Sequence, residues 1–276
     1  HLQEGEEIIV APLPMYHIFA FMLCILVGVD FGARLILIPD PRNQKQFCSS
    51  LKGIKFTFFA GLNTLFNALC RNEDFRMLDF SQLHLTVSGG MALMKDTADQ
   101  WEKVTGCKIV EGYGLTETSP VVAINPPAAP RLGTVGLPVP GTQCRLVDGE
   151  GNQVPKGDAG ELWVRGPQVM KAYWNKPEET AQILTEQGFL KTGDVARFDE
   201  DGFISIVDRI KDMILVSGFN VYPNEVEDEI SKHPDILECA AVGIPDQEAG
   251  EVVKLFVVSS NPALTEKDVR AFARNN

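Results

Sequence analysis

The chain lacks any apolar run long enough to cross a membrane as a helix. Positions 18 to 29 are apolar throughout, but a membrane-spanning helix needs about 20 such residues. We therefore predict a buried helix at this place, with contact at a membrane surface as the alternative. The opening residues 1–7 are acidic and do not form a signal peptide.

Cysteine is sparse and unpatterned. The six cysteines are scattered, no two are arranged as Cys-x-x-Cys, and no histidine cluster accompanies them. This spacing argues against a structural zinc site and against a disulfide framework. We expect reduced cysteines in the core, as is usual for a cytoplasmic protein.

Basic residues are outnumbered. The chain has 25 Lys and Arg against 37 Asp and Glu, for a formal net charge of -12. Such a balance argues against general binding to nucleic acid or to an anionic membrane. The 276 residues, 45% of them hydrophobic, are enough for one large or two medium domains with a sizeable core.

Short apolar runs rich in β-formers alternate with helical patterns from residue 8 to about residue 111. This alternation predicts βαβ units and a parallel sheet, and hence an α/β fold. Ligands of such sheets bind beyond the carboxyl ends of the strands. The predicted strands are 8–10, 35–38, 56–59, 85–87 and 108–110, and the predicted helices are 19–29, 44–51, 62–70 and 94–105.

The pattern changes twice further along the chain. A proline-rich connector at 125–130 introduces short strands with turn signals, which predict a small β-barrel-like subdomain. After Asp208 a mixture of strands and helices predicts a small α+β domain. The predicted division is 1–124, 125–208 and 209–276, with a hinge at 208–212.

The strongest local signal is the segment from Glu111 to Thr118, which follows a predicted strand. Glycine lets a backbone approach a ligand closely, and Tyr113 offers a flat face for a base. Thr116 and Glu117 supply a hydroxyl and a carboxylate, which suit Mg²⁺ between phosphates. A tight turn with a solvated glutamate is the structural alternative.

Three weaker signals lie elsewhere. The turn at 88–91 contains Gly89 and Gly90 after a predicted strand. Asp194 follows a predicted glycine turn and could accept hydrogen bonds from a ribose, although an Asx-turn explains it equally well. The charged segment 208–212 includes Arg209, which could bind a phosphate as a fork or belong to a surface salt-bridge cluster.

Taken together, these segments resemble successive motifs of the adenylate-forming superfamily, which includes acyl-CoA synthetases, adenylation domains of peptide synthetases and firefly luciferase. The resemblance covers the chain from about residue 8 to its last residue. The stretches PLPMYHIFA, NTLFNAL and GPQVMKAYWNKPEET are especially similar to bacterial long-chain fatty-acid-CoA ligases. The shared motifs are EGYGLTETSP, KTGDVARFDEDG and DRIKDMILVSGFNVYPNEVED.

The resemblance implies a two-step ligase. The fatty-acid carboxylate attacks the α-phosphate of ATP to give acyl-AMP and pyrophosphate, and the CoA thiol then displaces AMP. It also implies Mg²⁺ as cofactor and a mobile C-terminal domain that swings between the steps. ATP, CoA and a fatty acid are thus the expected substrates.

The resemblance also implies roles for individual residues. Thr116 should contact the phosphates and Glu117 should bind Mg²⁺. Arg209 should reach the ribose or phosphate, and Lys211 should be the hinge residue. His17 should lie near the acyl pocket and the phosphates, although a core histidine is the alternative. The residues expected to line the adenylate and CoA sites are Gly89, Gly90, Glu111, Gly112, Tyr113, Gly114, Thr116, Asp194, Arg209, Gly218 and Phe219.

Two family segments have no counterpart in this sequence. They are the phosphate loop rich in Ser, Thr and Gly, and the catalytic Lys near the family's C-terminus. We therefore expect both ends of the chain to be cut, and residues 1–276 alone to have little or no ligase activity. The motif that begins with Asp208-Arg209 has Gly-Arg in some members, which leaves the family prediction unchanged.

Other readings stay open at this stage. An aryl-CoA ligase, a luciferase-like enzyme, or a non-catalytic module that binds adenylate or acyl ligands would share these motifs. We expect a cytoplasmic protein that does not bind nucleic acid. Peripheral association with the inner face of the membrane and a homodimer formed through exposed sheet edges are further alternatives.

Overall fold

The computed structural model describes residues 2–246 and 248–275 and contains three sheets with flanking helices. The strands are β1 (Ile8–Ala11), β2 (Arg34–Leu37), β3 (Phe58–Gly61), β4 (Leu85–Ser88), β5 (Ile109–Gly114), β6 (Val121–Ile124), β7 (Leu137–Pro138), β8 (Gln143–Val147), β9 (Gly160–Arg165), β10 (Leu190–Phe198), β11 (Ile204–Arg209), β12 (Ile214–Val216), β13 (Phe219–Val221), β14 (Ile236–Asp246) and β15 (Gly250–Ser259). The α-helices are α1 (Ile18–Ala20), α2 (Val27–Asp30), α3 (Gln44–Leu51), α4 (Asn63–Cys70), α5 (Glu73–Arg76), α6 (Lys95–Thr105), α7 (Pro177–Ile183), α8 (Pro223–Ile230) and α9 (Glu266–Asn275).

The largest sheet has seven strands in the order β2-β1-β3-β4-β5-β6-β7. The five strands from β2 to β5 pair in parallel, whereas β6 and β7 are antiparallel additions at one edge. The predicted α/β class is confirmed. The predicted strand 56–59 was two residues early, since β3 begins at Phe58.

Alternating side chains divide the apolar residues of this sheet between its two faces. On β1 and β3, Val10 and Phe59 belong to one core, whereas Ile9 and Phe58 belong to the other. Helices cover both faces, as parallel sheets require. This is why the strands read as nearly continuous apolar runs in the sequence.

The first core is aromatic and centres on Trp101 of α6, which is fully buried. Its ring lies 5.1 Å from Phe59, 4.7 Å from Phe66 and 5.6 Å from Phe75, measured between centroids. The indole nitrogen donates to Thr86 Oγ1 on β4 at 3.2 Å. The helix is thereby fixed to the sheet by both packing and a satisfied polar group.

The apolar run at 18–29 forms one helical segment made of α1, a π-helical stretch at Phe21–Leu26, and α2. Its buried residues recur at Ala20, Cys24 and Gly28, which gives one face packed on the second core. Phe21, Leu26 and Val29 remain exposed. The predicted helix is present but only one face is buried. Within residues 2–246 and 248–275, no helix has the length and apolar character that crossing a bilayer requires.

The second sheet has four strands in the order β11-β10-β9-β8. A hairpin joins β10 and β11, and its Asp199 accepts from the backbone N–H groups of Asp201 and Phe203. Arg131 pairs with both Asp199 and Asp201, and its guanidinium lies 3.9 Å from the Phe203 ring centroid.

The third sheet is antiparallel, in the order β13-β12-β15-β14. Its core is formed by Ile230 of α8, Ile236 of β14 and Val269 of α9. At the start of α9, Asp268 Oδ2 accepts from Thr265 N and Thr265 Oγ1 accepts from Asp268 N, so the two residues cap the helix reciprocally.

The chain forms two contact units. One comprises His1–Cys144, Val164–Leu190 and Phe198–Ser205, and the other comprises Arg145–Trp163, Lys191–Arg197 and Ile206–Asn276. The division into 1–124, 125–208 and 209–276 stays a prediction.

We expect Trp101→Ala to lower the free energy of unfolding by about 3–5 kcal/mol, because it leaves a large cavity in the aromatic core. Trp174, which is 89% exposed, offers a matched control, and Trp174→Ala should change stability by less than about 0.5 kcal/mol. Chemical denaturation of both variants measures the difference. Equal losses would contradict the central position of Trp101.

Candidate functional site

The segment Glu111-Gly112-Tyr113-Gly114 is part of strand β5, so the prediction that the strand ends at Val110 was wrong. Beyond its parallel pairing with β4, the strand continues in antiparallel pairing with β6, where Gly112 faces Ile124 and Tyr113 faces Ala123. The residues of β6 that pair with this extension lie 7 to 12 positions further along the chain. Local sequence patterns could not reveal it.

Position 114 requires glycine because the backbone of Pro120 lies very close to it. A Cβ at this position would lie 1.9 Å from the carbonyl oxygen of Pro120. The backbone can therefore reverse direction tightly after β5 only if the residue has no side chain. The glycine that we expected to lie beside a ligand has a structural role at this point.

A 3₁₀ turn at Thr116–Thr118 follows β5 and presents two candidate residues. The buried Thr118 hydroxyl accepts from Leu115 N at 2.9 Å and also contacts the carbonyl of Pro120. These bonds fix the turn, so that Thr116 is exposed and Glu117 is half-buried. The structure thus brings Thr116 and Glu117 together at the carboxyl end of β5.

Glu117 has two partners from the segment that follows β9. The Tyr173 hydroxyl donates to Glu117 Oε1 at 2.5 Å, and Met170 N donates to the Glu117 carbonyl oxygen at 2.8 Å. The hydrogen bond to the carboxylate, together with partial burial, raises the pKa of Tyr173 to about 12. The phenol therefore remains a donor at neutral pH.

The donor set around Glu117 fits Mg²⁺. This ion prefers oxygen ligands and is usually held by one or two carboxylates together with substrate phosphates. A carboxylate and the Thr116 hydroxyl, adjacent in one turn, provide that chemistry. Among the described residues no group of three or more His, Cys, Asp or Glu could enclose a metal, so the fit is to an ion held mainly by phosphates.

Glu111 and Ser88 lie opposite each other on β5 and β4, and both are buried. Glu111 Oε1 accepts from Leu93 N at 3.1 Å, whereas Oε2 and Ser88 Oγ have no partner among the described residues. Burial raises the pKa of Glu111 to about 7, against the smaller opposing effect of the Leu93 hydrogen bond. Glu111 thus ties the loop that begins at Gly89 to strand β5.

The other candidates near these strand ends differ in burial. Gly89 is buried, and a Cβ there would approach the Phe19 ring at 3.4 Å. Gly90 is exposed with a φ of 80°, a conformation that favours glycine. Gly112 and Tyr113 are both half-buried. The parallel order of β4 and β5 places all four at the same sheet edge, as expected.

Gly193 and Asp194 both lie within strand β10, so the predicted glycine turn before Asp194 was wrong. Gly193, with a φ of 72°, accommodates a local irregularity in the strand, and its N–H donates to Glu161 Oε1 at 3.1 Å. Asp194 is buried, and its Oδ1 lies 3.3 Å from Arg209 Nε. Two residues predicted to bind ribose and phosphate are therefore in contact.

The predicted hinge segment contains an unexpected polar anchor at Asp208, which is buried. Its two carboxylate oxygens accept from Arg209 N at 2.7 Å and from Asn224 N at 2.9 Å. Asn224 Nδ2 also donates to the Val207 carbonyl oxygen. Lys211 lies in an exposed 3₁₀ turn at Ile210–Asp212.

Gly218 and Phe219 lie at a two-residue hairpin between β12 and β13, where Val216 pairs with Phe219. Ser217 and Gly218 have φ angles of 50° and 85°, as such a tight turn requires. Phe219 is 75% exposed. The hairpin thus presents a large apolar side chain to solvent.

His17 is exposed and caps α1, where its Nδ1 accepts from Phe19 N at 3.3 Å. The alternative of a core histidine is therefore wrong. A role of His17 near the acyl pocket stays a prediction, and so do the binding roles of the other candidates.

Sequence reasoning missed Tyr173, Asp208 and Glu161 as partners of the candidate residues. Tyr173 lies in the stretch GPQVMKAYWNKPEET, to which we assigned no role. Its partner Glu117 is 56 positions away. The similarity of that stretch to fatty-acid ligases was the available signal, whereas spacing alone carried none.

Comparisons with known proteins agree on one family. A family model described as AMP-binding enzyme matches residues 1–174, and one described as AMP-binding enzyme C-terminal domain matches residues 225–276. A long-chain-fatty-acid–CoA ligase from Escherichia coli O6:H1 is 50% identical over 274 residues, covering 99% of this chain and 49% of that protein. The chain thus spans about half the length of this relative.

Two other proteins extend the comparison. A feruloyl-CoA synthase from Amycolatopsis is 35% identical over 97% of this chain and 54% of its own length. The crystal structure of ATP-bound MatB from Rhodopseudomonas palustris matches with a TM-score of 0.88 and 31% identity, covering 99% of this chain and 54% of that one.

We expect Glu111 to make stability depend on pH. Because its folded pKa lies above its ordinary value of 4.5, at about 7, the stability associated with the neutral carboxyl is full below pH 4.5 and is lost as pH rises through 7. The loss should reach about 3 kcal/mol. Glu111→Gln should remove this dependence, as measured by urea denaturation from pH 5 to pH 8.

The exposed Glu102 on α6 provides the control for this experiment. Glu102→Gln should leave the pH profile of the unfolding free energy unchanged. An identical profile for the parent chain and Glu111→Gln would show that Glu111 does not titrate in this range.

Proposed function

This chain belongs to the AMP-binding enzyme family, and from that premise we propose that it forms part of an ATP-dependent long-chain fatty-acid–CoA ligase. The observation that carries the proposal is that similarity to a fatty-acid ligase extends over 274 residues. It therefore includes both the Thr116–Glu117 turn and the strand that carries Asp194.

The proposed reaction has two steps. In the first, a fatty-acid carboxylate oxygen bonds to the α-phosphorus of ATP, and the bond to the bridging oxygen of pyrophosphate breaks. In the second, the sulfur of CoA bonds to the acyl carbon and AMP leaves with the electrons of the broken bond. Both steps move negative charge onto phosphate oxygens, so catalysis depends on fixed donors and cations near them.

Residues at the carboxyl ends of β4 and β5 would bind the base and the phosphates. Tyr113 would lie against adenine, and Gly89, Gly90 and Gly112 would line the space around it. The Thr116 hydroxyl would donate to a phosphate oxygen, and Glu117 would hold Mg²⁺. When bound, Mg²⁺ supplies charge neutralisation at the phosphates.

Asp194 of β10 and the neighbouring Arg209 would bind the ribose. Asp194 is buried and already paired with Arg209, so the carboxylate is held in place before ligand arrives. We propose that it accepts hydrogen bonds from the ribose hydroxyls while Arg209 donates to ribose or phosphate. Lys211 would serve as hinge, and Gly218 with Phe219 would line the path of CoA.

Two alternatives remain within reach of experiment. The feruloyl-CoA synthase relative favours an aryl-CoA ligase as the second candidate, and a non-catalytic adenylate-binding module is the third. Titration with matched fatty-acyl and aryl adenylate analogues separates the first two. Acyl-CoA formation by residues 1–276 remains predicted to be low, and a coupled AMP-release assay measures it.

We expect the parent chain to bind a non-hydrolysable fatty-acyl-adenylate analogue in a calorimetric titration. Asp194→Ala should weaken binding about 10- to 100-fold, because a charge-assisted hydrogen bond contributes about 1.5–3 kcal/mol. Asp158→Ala, at an exposed position of the same contact unit, is the control. Unchanged affinity in Asp194→Ala would contradict ribose binding.

Glu117→Ala should act on a different ligand. Because its proposed partner is the metal, the substitution should weaken ATP binding in the presence of Mg²⁺ and leave the metal-free adenylate analogue unaffected. The same calorimetric titrations, run with both ligands, test the separation from Asp194→Ala. If Glu117→Ala weakened both ligands equally, the assignment of Glu117 to the metal would be wrong.

A further inference from the structure

The segment from Gly166 to Trp174 is fastened to the turn that carries Glu117. Gln168 Nε2 donates to the Val121 carbonyl oxygen at 3.1 Å and to Thr142 Oγ1 at 2.6 Å. Met170 N donates to the Glu117 carbonyl oxygen at 2.8 Å, and the Tyr173 hydroxyl reaches Glu117 Oε1 at 2.5 Å. Only the last of these bonds involves a side chain of the candidate site.

Tyr173 is itself held independently of Glu117. Its backbone N–H donates to Thr180 Oγ1 at 3.0 Å, and the Thr180 hydroxyl donates to the Lys176 carbonyl oxygen at 2.7 Å. Thr180 lies in α7, which has a proline in its first turn. The phenol is therefore anchored by a helix, so it can hold Glu117 in place and is not simply following it.

The bond from Tyr173 constrains how Glu117 presents its oxygens. A donor on Oε1 fixes the plane of the carboxylate and occupies one oxygen, which leaves Oε2 for another ligand. Partners of this kind orient metal-binding carboxylates in many proteins.

We propose that Tyr173 is a positioning residue that orients the Glu117 carboxylate for one-oxygen binding of the Mg²⁺ that accompanies ATP. This inference rests on the proposed role of Glu117 as metal ligand. A role in loop closure alone is less well supported by the contacts, because Met170 N already ties the two backbones together. The phenol adds a constraint on the carboxylate itself.

The test compares Tyr173→Phe with the parent chain. Calorimetry gives the Kd of ATP with and without Mg²⁺. The Kd without Mg²⁺ divided by the Kd with Mg²⁺, here called the metal ratio, reports how much the metal strengthens binding. We expect Tyr173→Phe to reduce this ratio at least tenfold, while binding of the metal-free acyl-adenylate analogue changes less than about twofold. Trp174→Phe, at the exposed neighbouring residue, should change neither.

A second variant removes the contact by which Thr180 holds the backbone of Tyr173. Thr180→Val keeps the side-chain shape but removes the acceptor for Tyr173 N, and it should reduce the metal ratio in the same direction by a smaller factor. In the background of Glu117→Ala, Tyr173→Phe should have no further effect on the ratio, because the group that it orients is gone.

The possible outcomes distinguish failure of the positioning role from failure of the proposed function. An unchanged metal ratio in both Tyr173→Phe and Thr180→Val would overturn the positioning role while leaving the proposed function intact. An additive loss in the double variant would also overturn it. If the parent chain bound the acyl-adenylate analogue but gained nothing from Mg²⁺, the metal role of Glu117 and this inference would both fail. If it bound neither ligand, the proposed function would fail first.

Discussion

The site depends on one strand that pairs differently on its two sides. Strand β5 is parallel to β4 and antiparallel to β6. Because β6 is the next strand in the chain and runs the opposite way, the chain must reverse direction directly after β5. The absence of a side chain at Gly114 allows that reversal against Pro120. The turn that follows is fixed by Thr118, and its orientation decides where Thr116 and Glu117 point. The chemistry at the sheet edge thus follows from backbone pairing.

Periodicity predicted most of the first 110 residues because burial dominates there. The inner parallel strands β1, β3 and β4 are covered on both faces, and helices such as α3 and α6 have regular apolar stripes. The predictions failed where a strand continued through glycines, at Gly112 and again at Gly193. A glycine pair normally indicates a turn, and only the distant pairing partner shows otherwise.

The residues of the candidate site show the same contrast between local and long-range information. Glu117 and Asp194 were found from local motifs that resemble a known family, so no long-range information was needed. Their partners Tyr173 and Arg209 are set by tertiary structure, at separations that no pattern of period two or 3.6 encodes. The raised pKa of Glu111 likewise arises from burial beside Ser88, which its sequence neighbours do not reveal.

The buried carboxylate of Asp208 has a consequence for the proposed swing at Lys211. One of its two hydrogen bonds, to Asn224 N, connects the predicted hinge segment to the first turn of α8. A rotation there would remove that donor from a buried carboxyl group, and a buried polar group that loses its partner is costly. Intermediate angles would therefore be penalised until water or another donor replaces Asn224. The proposed motion would then favour a few distinct orientations over free rotation.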